Sequence, residues 1–368
     1  MDKFNGTHLI FLLCGVTIVS MKTYPSLYTE LGGRDSWIAV ICSGIIIFLF
    51  AYIIMAIMQK NNNYNIYDIY CSALGKVLGN ILIWCFILTL FFTLIECTAV
   101  EANSMHVSML ADTPPWFFSV FFAIPAIYTI WRGSHSIVIV TIIGITLVAL
   151  SGTNLAILTS KYKNFNFLLP VMEHGITPNF LISIIKSLAF FSFFSIILPF
   201  LTELENKKTV KKYLTIALLF IIQMEVVSTA GIITTFGTLL GNTMYYPKLT
   251  QTQLINYWGF LESGELYVLL QVVAGWYIKY VLTFFSMKLI LNKINIRNKF
   301  YIYFVTALVL IISFLFSRDI VLLFKALNIF LYISLANFIV IPIIVYIIFH
   351  LKNKKSLESK TTIKSSKI

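Results

Sequence analysis

Residues 8–31 read HLIFLLCGVTIVSMKTYPSLYTEL, and the reading of this stretch decides the fold. From Leu9 to Val19 it is almost wholly apolar; Ser20, Lys22, Thr23 and Pro25 then interrupt it before the chain turns polar at Thr29 and Glu30. The length suits a membrane crossing, which takes roughly 20 residues. The interruption does not suit a helix facing lipid, because hydrocarbon offers no partner to freed backbone groups. Helices broken in this way belong inside bundles, where secondary transporters unwind backbone at membrane depth to bind substrate. The stretch therefore predicts a first transmembrane helix broken near Ile18 to Lys22. Leu9 to Val19 also has the look of a signal-peptide core, but no small-residue cleavage site follows it, so it is kept as an uncleaved helix.

The remaining sequence supplies the bundle. Of 368 residues, 59% are apolar and 11% charged. A soluble domain carries about 25% charged residues, so lipid must cover much of this chain. Further apolar runs lie near 36–58, 77–103, 116–131, 136–158, 179–201, 213–240, 266–291, 301–316 and 330–351. The expected fold is an all-α polytopic membrane protein of about ten transmembrane helices. It forms a single domain over residues 1–351, followed by a lysine-rich cytoplasmic tail over 352–368. Equal halves, about 1–160 and about 161–351, would make an inverted repeat in which helices one and six are the broken pair. Helix six has no glycine, however, and offers only Ser187, Ser192, Ser195 and Pro199 as irregularities.

The net charge of +12 does not imply nucleic acid, because the basic residues alternate with spans instead of forming one patch. With the N-terminus inside, the inner segments collect Lys60, Lys76, Arg132, the lysines of 207–212, those of 288–299 and the tail lysines. The outer segments hold only Arg34, Lys161, Lys163, Lys248, Arg318 and Lys325, so both termini are expected in the cytoplasm. No C-x-x-C pair, H-E-x-x-H helix, G-x-S-x-G elbow or phosphate loop occurs, and no histidine has a ligand at metal spacing. No enzyme activity, metal or cofactor is expected.

Polar side chains at membrane depth are costly unless they face a cavity or a partner, so function is sought there. Thr89, Thr93, Glu96 and Asn103 form a stripe on helix three. Gln271, Gly275, Lys279, Thr283 and Ser286 trace one face of helix eight at steps of about one turn. Helix seven holds Glu225 with Thr229 one turn on, and helix six holds Lys186, close enough to its outer end to snorkel. Glu101 and Glu203 sit near span ends, where water is expected to solvate them. Lys279 is expected to pair with Glu96 or Glu225. As one lysine for two glutamates, it leaves the other carboxylate as a proton site. Outside the spans, the tyrosine-rich 64–79 region suggests an interfacial helix. Residues 246–264 space Leu249, Leu254, Ile255, Trp258 and Leu261 as an amphipathic helix on the outer surface.

Several of these stretches carry a resemblance. Thr23 to Ile41, TYPSLYTELGGRDSWIAVI, resembles the exit of helix one in the spore germinant receptor B-subunit family. The likeness continues in Trp131-Arg132, in Leu168-Leu169-Pro170 with Gly175 and Pro178, and in INYWGFLESGELYVLLQVVAGWYIKY (255–280), which ends at Lys279 and Tyr280. The resemblance implies a permease fold of the amino acid-polyamine-organocation kind. It also implies a place in the spore inner membrane and a complex with A and C subunits that senses a nutrient such as an amino acid and triggers germination. Where the family's break is glycine-rich, this chain has Ile18, Ser20 and Met21.

On that analogy the ligand pocket is expected between Gly15, Thr17, Ile18 and Ser20 of helix one, Phe190 and Phe191 of helix six, and Glu96, Lys279 and Thr283. Proton or ion coupling is expected at Glu225, Lys279, Thr283 and Ser286. The leading function is a nutrient-sensing subunit. The alternatives are a proton- or sodium-coupled amino-acid permease and a structural or channel subunit with no ligand of its own.

Overall fold

The computed structural model of the chain describes residues 4–256, 264–296 and 300–365. They are helical almost throughout: α1 (Gly6–Thr23), α2 (Ser26–Gly32), α3 (Ser36–Asn61), α4 (Ile66–Leu74), α5 (Lys76–Ser108), α6 (Pro115–Arg132) and α7 (Ser134–Leu158). The second half runs α8 (Pro178–Phe191), a 3₁₀ segment (Ser192–Glu203), α9 (Val210–Gly241), α10 (Pro247–Gln253), α11 (Glu265–Lys293), α12 (Phe300–Ser317), α13 (Ile320–Leu335) and α14 (Ile341–Ser365). This economy is what a bilayer dictates, since a helix satisfies its own backbone where water is absent.

Among the described residues, nine helices are long and apolar enough to cross a membrane. The expected span at 116–131 forms as α6, but two prolines, two tryptophans and a terminal arginine in its 18 residues leave it less apolar than the nine. Helix one sits at the centre, packed by α7, α9, α11 and the 3₁₀ segment, while α5 packs on α11 and α12, and α3 on α8 and α9.

The break in helix one is real but lies later than Ile18 to Lys22. Helix α1 stays regular to Thr23, with the Tyr24 amide still donating to the Ser20 carbonyl at 3.2 Å. The Thr17 and Thr23 hydroxyls cap carbonyls one turn back instead of unwinding the helix. Pro25 decides the position, because it bars the preceding residue from helical geometry; Tyr24 leaves with φ −129° and ψ 61°. Helix six does not open at all. It tightens from α to 3₁₀ at Ser192 and keeps that winding for 12 residues, beyond the usual three or four. Without glycine to release the chain, tightening is the available irregularity.

Two connecting segments are resolved differently by the structure. The 60s and 70s do hold an amphipathic helix, α4, ended at Gly75 with φ 85°. Gly79 then allows α5 to pass the backbone of Cys71, which a Cβ would meet at 2.8 Å. On the outer side the helix covers only Pro247–Gln253; Trp258 and Leu261 lie outside the described residues. It does not lie on a surface. Tyr246, Leu249, Gln251, Thr252 and Ile255 are all buried, so α10 is a plug set into the bundle. The Gln251 amide donates to the Gly231 carbonyl at 3.0 Å and to Thr235 Oγ1 at 2.5 Å, beside the kink in α9 where Gly237 takes φ 66°.

Candidate functional site

Ser20 and Tyr24 are one helical turn apart, so the last turn of α1 aims both hydroxyls the same way, toward α5 and α11. There Lys279 and Glu96 meet. The Lys279 ammonium lies 2.7 Å from Oε2 and 3.0 Å from Oε1 of Glu96, with both side chains all but inaccessible. Its remaining donor reaches Ser20 Oγ at 2.5 Å. Glu96 Oε1 also accepts from Ser20 Oγ at 2.8 Å and from Tyr24 OH at 2.5 Å. Every proton of the ammonium is therefore used, and the carboxylate is saturated by charge-assisted bonds.

Aromatic rings close this network on the remaining sides. The Lys279 ammonium stands 3.3 Å from the Phe193 ring centre and 5.3 Å from that of Trp276. Tyr24 stacks on Trp276 at 6.2 Å with the rings 5° apart, and packs on Phe190 at 5.1 Å; Tyr28 meets Phe190 at 5.8 Å. Ser195 of the 3₁₀ segment donates to the Phe338 carbonyl, in the π-helical turn Ala336–Val340 that joins α13 to α14. In the same turn, Asn337 donates to Thr89 Oγ1 at 2.9 Å. Irregular backbone thus gathers around the ion pair from helices one, six and ten.

Ser20, Glu96, Phe190 and Lys279 come together as the sequence suggested. The others do not join them. Thr17 bonds within its own helix, and Phe191 is buried without a ring partner in the network. Gly15 is a packing position, where a Cβ would stand 2.6 Å from Ile278. Gly15 and Ile18 border a small pocket on the opposite side of α1, lined also by Lys22, Lys248 and Gln271. Thr283 and Ser286 are buried with hydroxyls that have no partner among the described residues.

Glu225 is not on Lys279. Both of its oxygens are buried without a hydrogen bond among the described residues, and the cations acting on it are Lys22 and Lys248. Lys279 thus serves Glu96, and Glu225 is the carboxylate left without a bond among the described residues. Lys248 reads from the sequence as an outer-loop charge, because the plug helix that brings it inward leaves no mark in the pattern of apolar runs. Glu101 is likewise 3% exposed and not solvated, because α5 runs two turns past it. Lys186 is 9% exposed. Composition does not single out Tyr24 or Phe193; the sequence signal for Tyr24 is its one-turn spacing from Ser20. A cavity of about 500 Å³ lies away from the pair, lined by residues that include Thr202, Glu203, Lys288 and Lys293.

The family model for spore germination proteins of the spore permease type matches residues 3–321. This chain belongs to the spore germination protein family. Within that family it is 24% identical to spore germination protein XB of Bacillus anthracis over 301 residues, covering 80% of this chain and 83% of the relative. Among solved structures it is similar to a Na+-coupled sialic acid symporter in a substrate-bound, outward-open state. That match has a TM-score of 0.66 and 13% identity, over 91% of this chain and 77% of the symporter. The fold is therefore transporter-like, and this germination protein is a multi-pass membrane protein.

Proposed function

We propose that the chain is the membrane-embedded B-type subunit of a bacterial spore germinant receptor. In this reading it sits in the spore inner membrane with both termini cytoplasmic, beside A and C subunits, and binds a small nutrient that triggers germination. The observation that carries the reading is the closed Ser20–Tyr24–Glu96–Lys279 network at the helix-one break of a transporter fold in a germination family. A free amino acid carries one positive and one negative group. It can exchange the internal pair for two intermolecular pairs without changing the charge of the buried site, whereas an unbalanced ion cannot. Opening the network frees the junction of α1, α5 and α11, which is the two-state element a receptor needs.

The test is the germination dose response of spores carrying Tyr24→Phe. Losing a hydrogen bond to a charged group, worth about 1.5–3 kcal/mol, should move the half-maximal nutrient concentration by about tenfold or more at normal protein level. An unmoved dose response to every amino acid and sugar supplied removes this network from nutrient sensing.

The permease reading keeps one specific support: the unpartnered hydroxyls of Thr283 and Ser286 on α11, with the unbonded Glu225 carboxylate on α9. It requires uptake of labelled amino acid into proteoliposomes under a sodium or proton gradient, lost in Thr283→Ala or Glu225→Gln. A gradient without effect on uptake excludes it.

A further inference from the structure

On the far side of α1 from the ion pair, three ammonium groups from separate elements converge on one groove. Lys22 comes from the last turn of α1, Lys163 from the segment after α7, and Lys248 from the plug helix α10. The groove holds about 240 Å³ between α7 and α9, and Lys22, Lys248 and Gln271 continue into an adjoining pocket of about 30 Å³. We propose that this groove is an oxyanion site, in which Lys22, Lys163 and Lys248 hold the phosphate or carboxylate of a small anion. It goes beyond the nutrient reading and does not rest on it.

The charges there are unbalanced. Among the described residues, the ion pairs are Arg34–Glu173 and Lys279–Glu96, and neither involves these lysines. Lys248 donates to Gln251 Oε1 at 2.8 Å and Lys163 to the Ala156 carbonyl at 3.3 Å, both neutral acceptors. Glu225 interacts with Lys22 and Lys248 by charge alone and offsets one of the three cations at most. All three lysines are half-buried, and like charges gathered with reduced access to water and too little counter-charge are costly. A bound anion removes the imbalance.

A second observation points the same way. Gln271 is 9% exposed, borders both parts of the cavity, and its Nε2 donor has no partner among the described residues. An unused amide donor beside three ammonium groups is what an oxyanion would occupy. The wall opposite is Gly152, where a Cβ would come within 3.3 Å of that amide, so the space is kept by the absence of a side chain. Burial, then the nearby Lys22 and Lys163, push the Lys248 amine down to about 7, a repulsion an anion would relieve.

The groove is edged by Val227 and Phe220, 52% and 38% exposed, so it opens sideways as well as toward α10. The same oxyanion chemistry can therefore come from an anionic phospholipid headgroup or from a free small anion. The test uses the purified full-length protein in phosphatidylcholine nanodiscs, with thermal unfolding as the readout. In one arm phosphatidylglycerol is added to the discs; in the other, inorganic phosphate is titrated against sodium chloride of equal ionic strength. A midpoint raised by phosphatidylglycerol assigns the site to lipid, and one raised by phosphate assigns it to a free anion. In either case Lys248→Met should weaken the response by about tenfold or more, while Lys248→Arg retains it. Gly152→Leu, which keeps every lysine, should abolish it by filling the groove. If neither anion raises the midpoint above chloride, or if Lys248→Met and Gly152→Leu both respond as the unaltered protein does, the proposal is overturned.

Discussion

Replacing Lys279 by methionine tests whether the central pair holds the bundle together. The substitution keeps the length of the side chain, its packing on Phe193 and Trp276, and the apolar stem. It removes two bonds to Glu96 and one to Ser20. Glu96 then keeps only the Ser20 and Tyr24 hydroxyls, which neutralise no charge. Because both partners are essentially inaccessible, water cannot take over the role of the ammonium. Breaking such a pair costs about 3–5 kcal/mol, a large part of a typical stability of about 5–15 kcal/mol. Glu96→Gln should cost a similar amount by stranding the ammonium. The double variant Lys279→Met/Glu96→Gln, with neither charge, should recover most of the loss. The assay is a double-mutant cycle on purified protein in detergent, read by thermal unfolding and folded yield. Coupling of about 2 kcal/mol or more is expected, within the range for directly bonded neighbours. Single variants that each lose less than about 1 kcal/mol and add without coupling would show that the pair is hydrated in solution, and the reasoning fails.

Gly15→Leu should lower the unfolding midpoint and the yield, by about 1–3 kcal/mol of overpacking, since its Cβ alone would stand 2.6 Å from Ile278 and 2.9 Å from Leu282; a normal midpoint would place Gly15 at an open site. Gly79→Val should release α4 from α5, because the obstacle is the Cys71 backbone and not a side chain that can swing away; protease cleavage in the 60s and 70s should rise, and an unchanged digestion pattern counts against the contact. For Lys248 the folded protein binds its proton less tightly than the unfolded chain, whose lysine titrates near 10.5. Between about pH 7 and 10.5 the unfolded state thus holds more protons, and this residue's contribution to stability should rise with pH across that window. Lys22, Lys163 and Glu225 face the same amine. Unfolding midpoints of the unaltered protein and Lys248→Met, followed from neutral to alkaline pH without added anion, should converge as pH rises, and parallel curves would contradict the assignment.

What the sequence made legible follows from physics that acts locally. Apolar length set the spans, and a one-turn polar repeat put Lys279 on an inward face, because lipid tolerates neither error. The helix-one break lies a few residues later than polar composition suggests: Ser20 and Lys22 mark the polar stretch, while the backbone obeys Pro25. The partner of Lys279 stayed open between Glu96 and Glu225, since each lies on a plausible inward face and only the packing of α5 on α11 decides between them. The Lys22, Lys163 and Lys248 cluster was invisible for a different reason. Its members are 226 residues apart at the extremes and belong to a helix end, a loop and a short plug, so no periodicity links them.

The chain's first described residue is also tied into the core. Phe4 pairs with Leu204: its amide donates to the Glu203 carbonyl at 3.0 Å, and its carbonyl accepts from the Glu205 amide at 2.9 Å. The start of helix one and the finish of helix six are thereby latched, the Phe4 ring lying 5.8 Å from that of Phe200. Two such bonds hold by about 1 kcal/mol each, enough to keep the latch shut at rest and little enough to be undone by a modest pull. Displacing Phe4 would therefore act as a lever on the 3₁₀ segment. Through Ser195 and Phe193 that lever reaches the turn at Phe338 and the ammonium of Lys279.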